Sequence, residues 1–156
     1  MGKRMTVSLA IVGVLCAAEA LAGELIVGNV RGRPNGEVSV PVVYSQGTGP
    51  PAAAVASDIR FDSKHLRQLR CSPGVAASRG QKTVKCAEPR RGVLRLAVYG
   101  LNLDPIPDGE VATVTFRVSP RARSRVYQLA HTPTAATADG KDFSLTHHNG
   151  AIRVRR

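Results

Sequence analysis

The chain has 156 residues, 43% of them hydrophobic, which is room for one ordinary domain with a packed core but not for two of usual size. Lys and Arg number 22 against 11 Asp and Glu, a formal net charge of +11 at pH 7, so long-range electrostatics favour an anionic partner. Three Tyr, three Phe and no Trp argue against functions that need rows of stacking aromatics, whether for sugar rings or single-stranded nucleic acid.

Residues 1–22 read as an export signal, to be removed from the mature chain. Lys3 and Arg4 form a basic start, Thr6 to Ala18 is an almost unbroken apolar run, and Ala20-Leu21-Ala22 has the small-x-small pattern of a signal-peptidase site. A transmembrane anchor is the competing reading, but the uncharged stretch is shorter than the roughly 18–20 residues that a span needs, and Glu19 interrupts it. Cys16 raises lipidation as an alternative, although Leu15 stands before it where a small residue is required. The domain proper is then residues 23–156, with a charge of about +10 on standard side-chain pKa values.

No helix of convincing length is predicted. Gly (15) and Pro (10) punctuate the chain at short intervals, and the runs between them alternate with period two and are rich in Val, Ile and Thr. Leu25 to Val30 is the first run, closed by Gly32, Pro34 and the Asn35-Gly36 turn. Glu37 to Tyr44 follows, with Val38, Val40, Val42 and Tyr44 on one face, and Pro41 within it predicts an edge or a bulge. After a loop at Gln46 to Pro51 the chain is extended again from Ala53 to Phe61.

Leu66 to Cys71 and Thr83 to Ala87 flank a polar, Gly-containing excursion. Gly92 to Tyr99 sets Leu94, Leu96 and Val98 opposite Arg95 and Ala97, and a Pro-rich loop runs from Leu101 to Gly109. Val111 to Val118 places Ala112, Val114, Phe116 and Val118 on one face. Arg125 to Ala130 and Gly150 to Val154 complete a set of eight or nine strands, the last with Arg153 outward as protection against edge pairing. Short strands in this number with turns at regular spacing predict an all-β sandwich of Greek-key or jelly-roll type.

Cys71 and Cys86 remain after removal of the signal, and an even pair in an exported chain reads as a disulfide clipping the excursion between them. Closing a loop of about 15 residues is worth roughly 3 kcal/mol on the chain-entropy model. A metal or redox pair is the alternative, without the C-x-x-C spacing or a nearby His.

The order of segments resembles the cohesins of bacterial polysaccharide-degrading assemblies. Val27-Gly28-Asn29-Val30 followed by Gly36-Glu37-Val38-Ser39-Val40-Pro41-Val42 is similar to the cohesin opening, and Ile59-Arg60-Phe61-Asp62 with Leu66 to its next segment, with Ser63 where the family usually has Pro. Asp108 to Val118 resembles the D-G-x-[IFV]-A-T-[IV]-x-F-x-V strand. Ala138-Asp139-Gly140-Lys141 with Gly150 to Val154 resembles the closing loop and strand. The resemblance implies a nine-stranded jelly-roll sandwich that needs no cofactor and uses one face to bind a dockerin, a small calcium-loaded helical module. The family's recognition face is fed by the strand ending at Phe61 and by the Leu94 to Tyr99 strand. Ala52-Ala53-Ala54-Val55-Ala56 stands where an Asn and an Asp would be expected, and the expected acidic position falls near Tyr99-Gly100, so the resemblance assigns no binding residue.

Other constellations read as follows. Asp104, Asp108 and Glu110 could hold Ca²⁺ or act as paired acids, but calcium wants six to eight convergent oxygens and Ile106 breaks the loop pattern, which favours a solvated turn. His131, His147 and His148, with Asp139 and Asp142 between them, suggest a metal site or a triad. Adjacent His147 and His148 would point to opposite faces of a strand, and surface loop histidines are the reading preferred.

Glycoside hydrolysis needs two carboxylates flanking a cleft, for which this acid-poor sequence is badly equipped. Arg67, Arg70, Arg79, Lys82, Lys85, Arg90 and Arg91 lie around the disulfide. Arg117, Arg121, Arg123, Arg125, Arg153, Arg155 and Arg156 lie towards the end. The function expected is that of an exported, non-catalytic docking module. The alternatives are carbohydrate binding, for which only Tyr44, Tyr99 and Tyr127 could supply an aromatic row, and a role in envelope adhesion or structure.

Overall fold

The computed structural model describes residues 23–156. The predicted signal segment, with Cys16, lies outside the described residues. Period-two alternation becomes two stacked layers, because each strand has one apolar face to bury. The strands are β1 (Glu24–Val27), β2 (Asn29–Gly32), β3 (Glu37–Ser45), β4 (Ala54–Arg60), β5 (Leu66–Pro73) and, after a short helix α1 (Val75–Arg79), β6 (Thr83–Arg90). Then come β7 (Val93–Tyr99), β8 (Gly109–Val118), β9 (Val126–Ala136), β10 (Asp142–Ser144), β11 (Thr146–His148) and β12 (Gly150–Val154). One sheet has the order β11-β1-β3-β8-β5. The other has the order β2-β12-β9-β4-β7-β6, with β10 also pairing β9.

Between the layers, Val38, Val40, Val42 and Tyr44 of β3 and Val114, Phe116 and Val118 of β8 meet Ile59, Leu94, Leu96, Leu129 and Ile152, all buried. Phe61 packs edge-on against Phe116 across the layers, ring centroids 5.3 Å apart.

Twelve strand segments replace the nine expected among the described residues. The run Leu25 to Val30 is not one strand. It breaks at Gly28, where the chain crosses from the first sheet to the second, and a local alternation pattern carries no information about which sheet a strand joins. The C-terminal part makes the same crossing, β11 lying parallel to β1 and β12 parallel to β2. The two crossings touch: a Cβ on Gly150 would stand 2.5 Å from the Gly28 carbonyl oxygen and 2.6 Å from Val27 Cγ1. Only a residue without a side chain fits there.

Pro41 lies in an interior strand rather than at an edge, with a register shift between Val42 and Val43 just beyond it. It is tolerated because the Pro41 carbonyl accepts from the Gly28 amide (2.9 Å), so the backbone polar groups of Pro41 face the end of β1 and leave the long ladder to β8 uninterrupted. Arg153 is likewise not at an edge, since β12 is paired on both sides, by β2 and β9. The strand predicted for Arg125 to Ala130 runs on to Ala136, which brings His131 into the core-facing row.

Cys71 and Cys86 are disulfide-bonded, with Cα atoms 6.1 Å apart. The bond does more than clip an excursion. Cys71 is on β5, the edge of one sheet, and Cys86 on β6, the edge of the other, so the disulfide ties the two layers together along one side of the sandwich.

Candidate functional site

The outer face of β9-β4-β7-β6 carries a run of small, half-buried side chains. Its composition follows from alternation: once Val55, Ile59, Leu94, Leu96, Leu129 and Ala135 turn inward, their neighbours must turn out. In register across the strands, one row reads Thr132, Asp58, Arg95 and Ala87, and the next Thr134, Ala56, Ala97 and Lys85. Above them Ala136 pairs Ala54, and Tyr99 pairs Thr83. Methyl groups and threonines leave a shallow depression of about 190 Å³ here, lined by Ala54, Ala56, Ala97, Tyr99, Thr134, Ala136 and Asp142.

Below the alanines lies an open depression of about 590 Å³, lined by Ala56, Asp58, Arg60, Arg95, Thr132 and Thr134. Asp58 and Arg95 form a bidentate pair across β4 and β7, Nε to Oδ1 at 2.7 Å and Nη2 to Oδ2 at 2.8 Å. The hydrogen bonds from Arg95 hold the Asp58 carboxyl below its usual range. Slight burial opposes this, and the charges of Arg95, Arg90 and Arg60 add to it.

An apolar rim stands at the upper end. Tyr99 closes β7 with its ring 43% exposed, and Leu101 and Leu103 project from the following loop. That loop is fixed from beneath. Lys82, buried to 6% exposure, donates from Nζ to Asn102 Oδ1 (2.6 Å) and to the Asn102 carbonyl (3.3 Å), while Asn102 Nδ2 donates to the Gly80 carbonyl (3.0 Å). Burial lowers the Lys82 pKa, and the charge of Asp104 works the other way. Ile106 is buried and its amide donates to the Ala52 carbonyl at 2.7 Å, which tethers the loop to the start of β4. The two leucines are therefore presented from an anchored loop.

The residues singled out in sequence fall elsewhere or do other work. Asp104, Asp108 and Glu110 do not converge: Asp108 accepts from the Gln46 amide (2.7 Å), Glu110 from Thr113 Oγ1, and Asp104 faces the Lys82 charge. Among the described residues, no group of three or more His, Cys, Asp or Glu could hold a metal ion. Of the tyrosines proposed for an aromatic row, Tyr44 and Tyr127 are core residues and only Tyr99 is exposed.

His131 corrects the reading of surface loop histidines, for it is buried at the back of β9. Its Nε2 is 3.0 Å from the His148 carbonyl, which only accepts, so Nε2 carries the proton and Nδ1 accepts from Ser57 Oγ at 2.9 Å. Burial pushes its pKa down, opposed by the hydrogen bond to His148, while the charges of His147 and His148 lower it further. The His147 ring stands edge-on to it at 5.2 Å, and His148 pairs with Glu24 at 3.3 Å. This is a structural cluster joining the two sheets. Ser57 and His131 are 74 residues apart, and nothing local in the sequence signals their meeting.

No protein-family model matches the sequence, and no curated relative matches it. Solved structures do. A crystal structure of a CaDoc0917–CaCohA2 complex contains a chain 25% identical to this one, superposing with TM-score 0.76 over 86% of this chain and 100% of that one. The sixth cohesin of Acetivibrio cellulolyticus scaffoldin B, solved with a Cel5 dockerin, is 18% identical, with TM-score 0.74 over 86% of this chain and 99% of that one. A non-cellulosomal cohesin from the archaeon Archaeoglobus fulgidus is 16% identical, with TM-score 0.69 over 86% and 92%. Cohesin domains are non-catalytic binding modules. Two layers in this order, matched along nearly the whole described chain by cohesins of separate origins, give residues 23–156 the cohesin fold.

Proposed function

We propose that this chain is an exported docking module that binds a dockerin-type partner on the outer face of β9-β4-β7-β6. The observation that carries the reading is the shallow Ala54, Ala56, Ala97 and Ala136 surface, framed by the Asp58–Arg95 pair below and by Tyr99, Leu101 and Leu103 above. An apolar centre with a charged border is the anatomy of a transient protein interface. Support comes from the cohesin fold and from the CaDoc0917 complex of the 25% identical chain. We read the sandwich as the jelly-roll type. The Asn and Asp implied by resemblance are absent from the outward positions Ala54 and Ala56, and Asp58, one outward step further along, supplies the acid. The partner is therefore expected to differ in detail from those of other cohesins.

Export is supported by the composition of residues 1–22 and by the Cys71–Cys86 disulfide, which belongs in an oxidising compartment. Assembly of polysaccharide-degrading or cell-surface complexes is the context this suggests. Carbohydrate stacking is disfavoured by the burial of Tyr44 and Tyr127.

The test is calorimetric titration of the purified chain with a panel of calcium-loaded dockerins, including CaDoc0917, with and without chelator. Ala97→Arg places a bulky charge at the centre of the face and should cost about 2 kcal/mol or more, roughly a 30-fold loss of affinity. Arg67→Glu, on the opposite sheet, should leave binding unchanged. Binding indifferent to Ala97→Arg, or absent across the panel, refutes the assignment.

A further inference from the structure

Four arginines are met by carboxylates: Arg95 by Asp58, Arg117 and Arg70 by Glu37, and Arg125 by Asp62. Of those that are not, some are brought together at one corner by the strand pairing itself. Arg31 of β2 and Arg153 of β12 are direct register partners on two parallel strands, both pointing outward, and Arg155 follows two residues on. Among the described residues none of these three makes an ion pair. Like charges placed directly opposite each other in a sheet destabilise it.

The backbone holds them in place all the same. The Arg155 amide donates to the Gly32 carbonyl (3.1 Å), the Val154 amide to the Arg125 carbonyl (2.9 Å) and the Arg156 amide to Ser124 Oγ (3.2 Å), so the end of the chain is strapped down. Three exposed guanidinium groups are thus carried on a fixed backbone, each with its donors free for an anion.

The shape of the corner narrows the ligand. Two adjoining depressions share Arg153 and Val126 and make one open groove, bordered by Arg31 and Asn29 on one side and by Arg125, Arg155 and Ser124 on the other. Val126 is its one exposed large apolar residue, and Tyr127 beside it is buried under the Arg125 guanidinium, 4.6 Å from the ring centroid. A polypeptide or a lipid surface would gain little from so few apolar contacts, and nucleic acid finds no aromatic platform. Repeated anionic groups along a hydroxyl-rich chain are matched on both counts, by the guanidiniums and by the neutral Asn29 and Ser124. We infer that the Arg31–Arg153–Arg155 corner binds a linear acidic polysaccharide through its carboxylate or sulfate groups. The eleven residues of β9 span the face from this corner to the alanine surface, so the two sites lie roughly 30 Å apart.

The experiment titrates the full chain with polygalacturonate and with heparin, against dextran, anionic phosphatidylglycerol vesicles and duplex DNA, at two salt concentrations. Polygalacturonate or heparin should bind and raise the melting temperature, more weakly at high salt, and dextran should not. The pair Arg31→Glu with Arg153→Glu should weaken binding at least tenfold, with the melting temperature measured without ligand as the check on folding. The charge-matched pair Arg67→Glu with Arg91→Glu should change it under threefold. Equal losses from both pairs would show attraction to net charge alone and overturn the site. Tighter binding to DNA or vesicles than to either glycan, or no glycan binding, overturns the ligand. Dockerin binding, measured in parallel, should be unaffected by the corner variants whichever way the glycan result falls.

Discussion

The disulfide gives the sharpest stability prediction. Cys71 and Cys86 are 15 residues apart, and with n of 15 the chain-entropy model assigns about 3 kcal/mol to the constraint on the unfolded state. Unfolding entropy near 2.1 cal/mol/K per residue gives about 280 cal/mol/K for residues 23–156. Dividing one by the other, Cys71→Ala with Cys86→Ala should lower Tm by about 10 °C. Alanine is chosen because both sulfurs pack against the core, where a serine hydroxyl would add a desolvation cost. Scanning calorimetry of the oxidised protein, the double variant and the oxidised protein after reduction checks the value, and the last two should agree. Hydrogen exchange should show β5 and β6 opening first once the bond is gone, since each is then an untied edge strand. A Tm loss below about 3 °C would mean that the edges are held by packing alone, and the entropy argument would fail.

Two further predictions follow from buried geometry. His131 is neutral in the folded protein with its pKa depressed below 6.5, so below about pH 6.5 the unfolded chain takes up the proton first and stability falls with decreasing pH. Imidazole NMR should place its midpoint below 6.5 in the Nε2–H tautomer, and a midpoint above that value refutes the assignment. Gly150→Ala would drive a methyl group to 2.5 Å from the Gly28 carbonyl and should cost about 1–3 kcal/mol in chemical denaturation. Ala151→Ser next to it, on the outer face, should change stability by less than about 0.5 kcal/mol, and equal losses from the two would refute the close-approach argument.

What was legible in the sequence was whatever depends on neighbours two residues apart. Val38, Val40, Val42 and Tyr44 read as one face and are one buried face, and the same holds for Leu94, Leu96 and Val98. The two-layer architecture then follows from counting such faces. What stayed hidden depends on residues far apart. The change of sheet at Gly28 is set by its meeting with Gly150, 122 positions away, and a strand that crosses between layers keeps its alternation. His131 read as a surface loop residue because the strand predicted before it ended at Ala130. It is buried because Ser57 and the His148 carbonyl satisfy both ring nitrogens, and neither partner is near it in sequence. Lys82 read as one more surface charge, and only Asn102 on another loop makes its burial tolerable.

The resemblance pointed to the strands of the proposed docking surface but to none of its residues, for a related reason. Ala52 to Ala56 read as the loss of polar recognition residues, since a run of alanines shows only what it lacks. In the folded sheet Ala54 and Ala56 lie beside Ala97, Ala136 and Thr134 from other strands, and together they line a shallow depression that no single strand encodes. The charge behaves in the same way. A net charge of +11 suggests a uniformly basic particle, yet Glu37, Asp58 and Asp62 each sit against arginines, and two of the arginines without an ion pair are concentrated where β2 and β12 run in parallel. That concentration follows from the topology: because the first and last strands switch sheets together, Arg31 and Arg153 are forced side by side although 122 residues separate them. The glycine contact that lets the two crossings close thus also brings the arginine corner together, and a change that pried the crossings apart should weaken the fold and the proposed anion binding together.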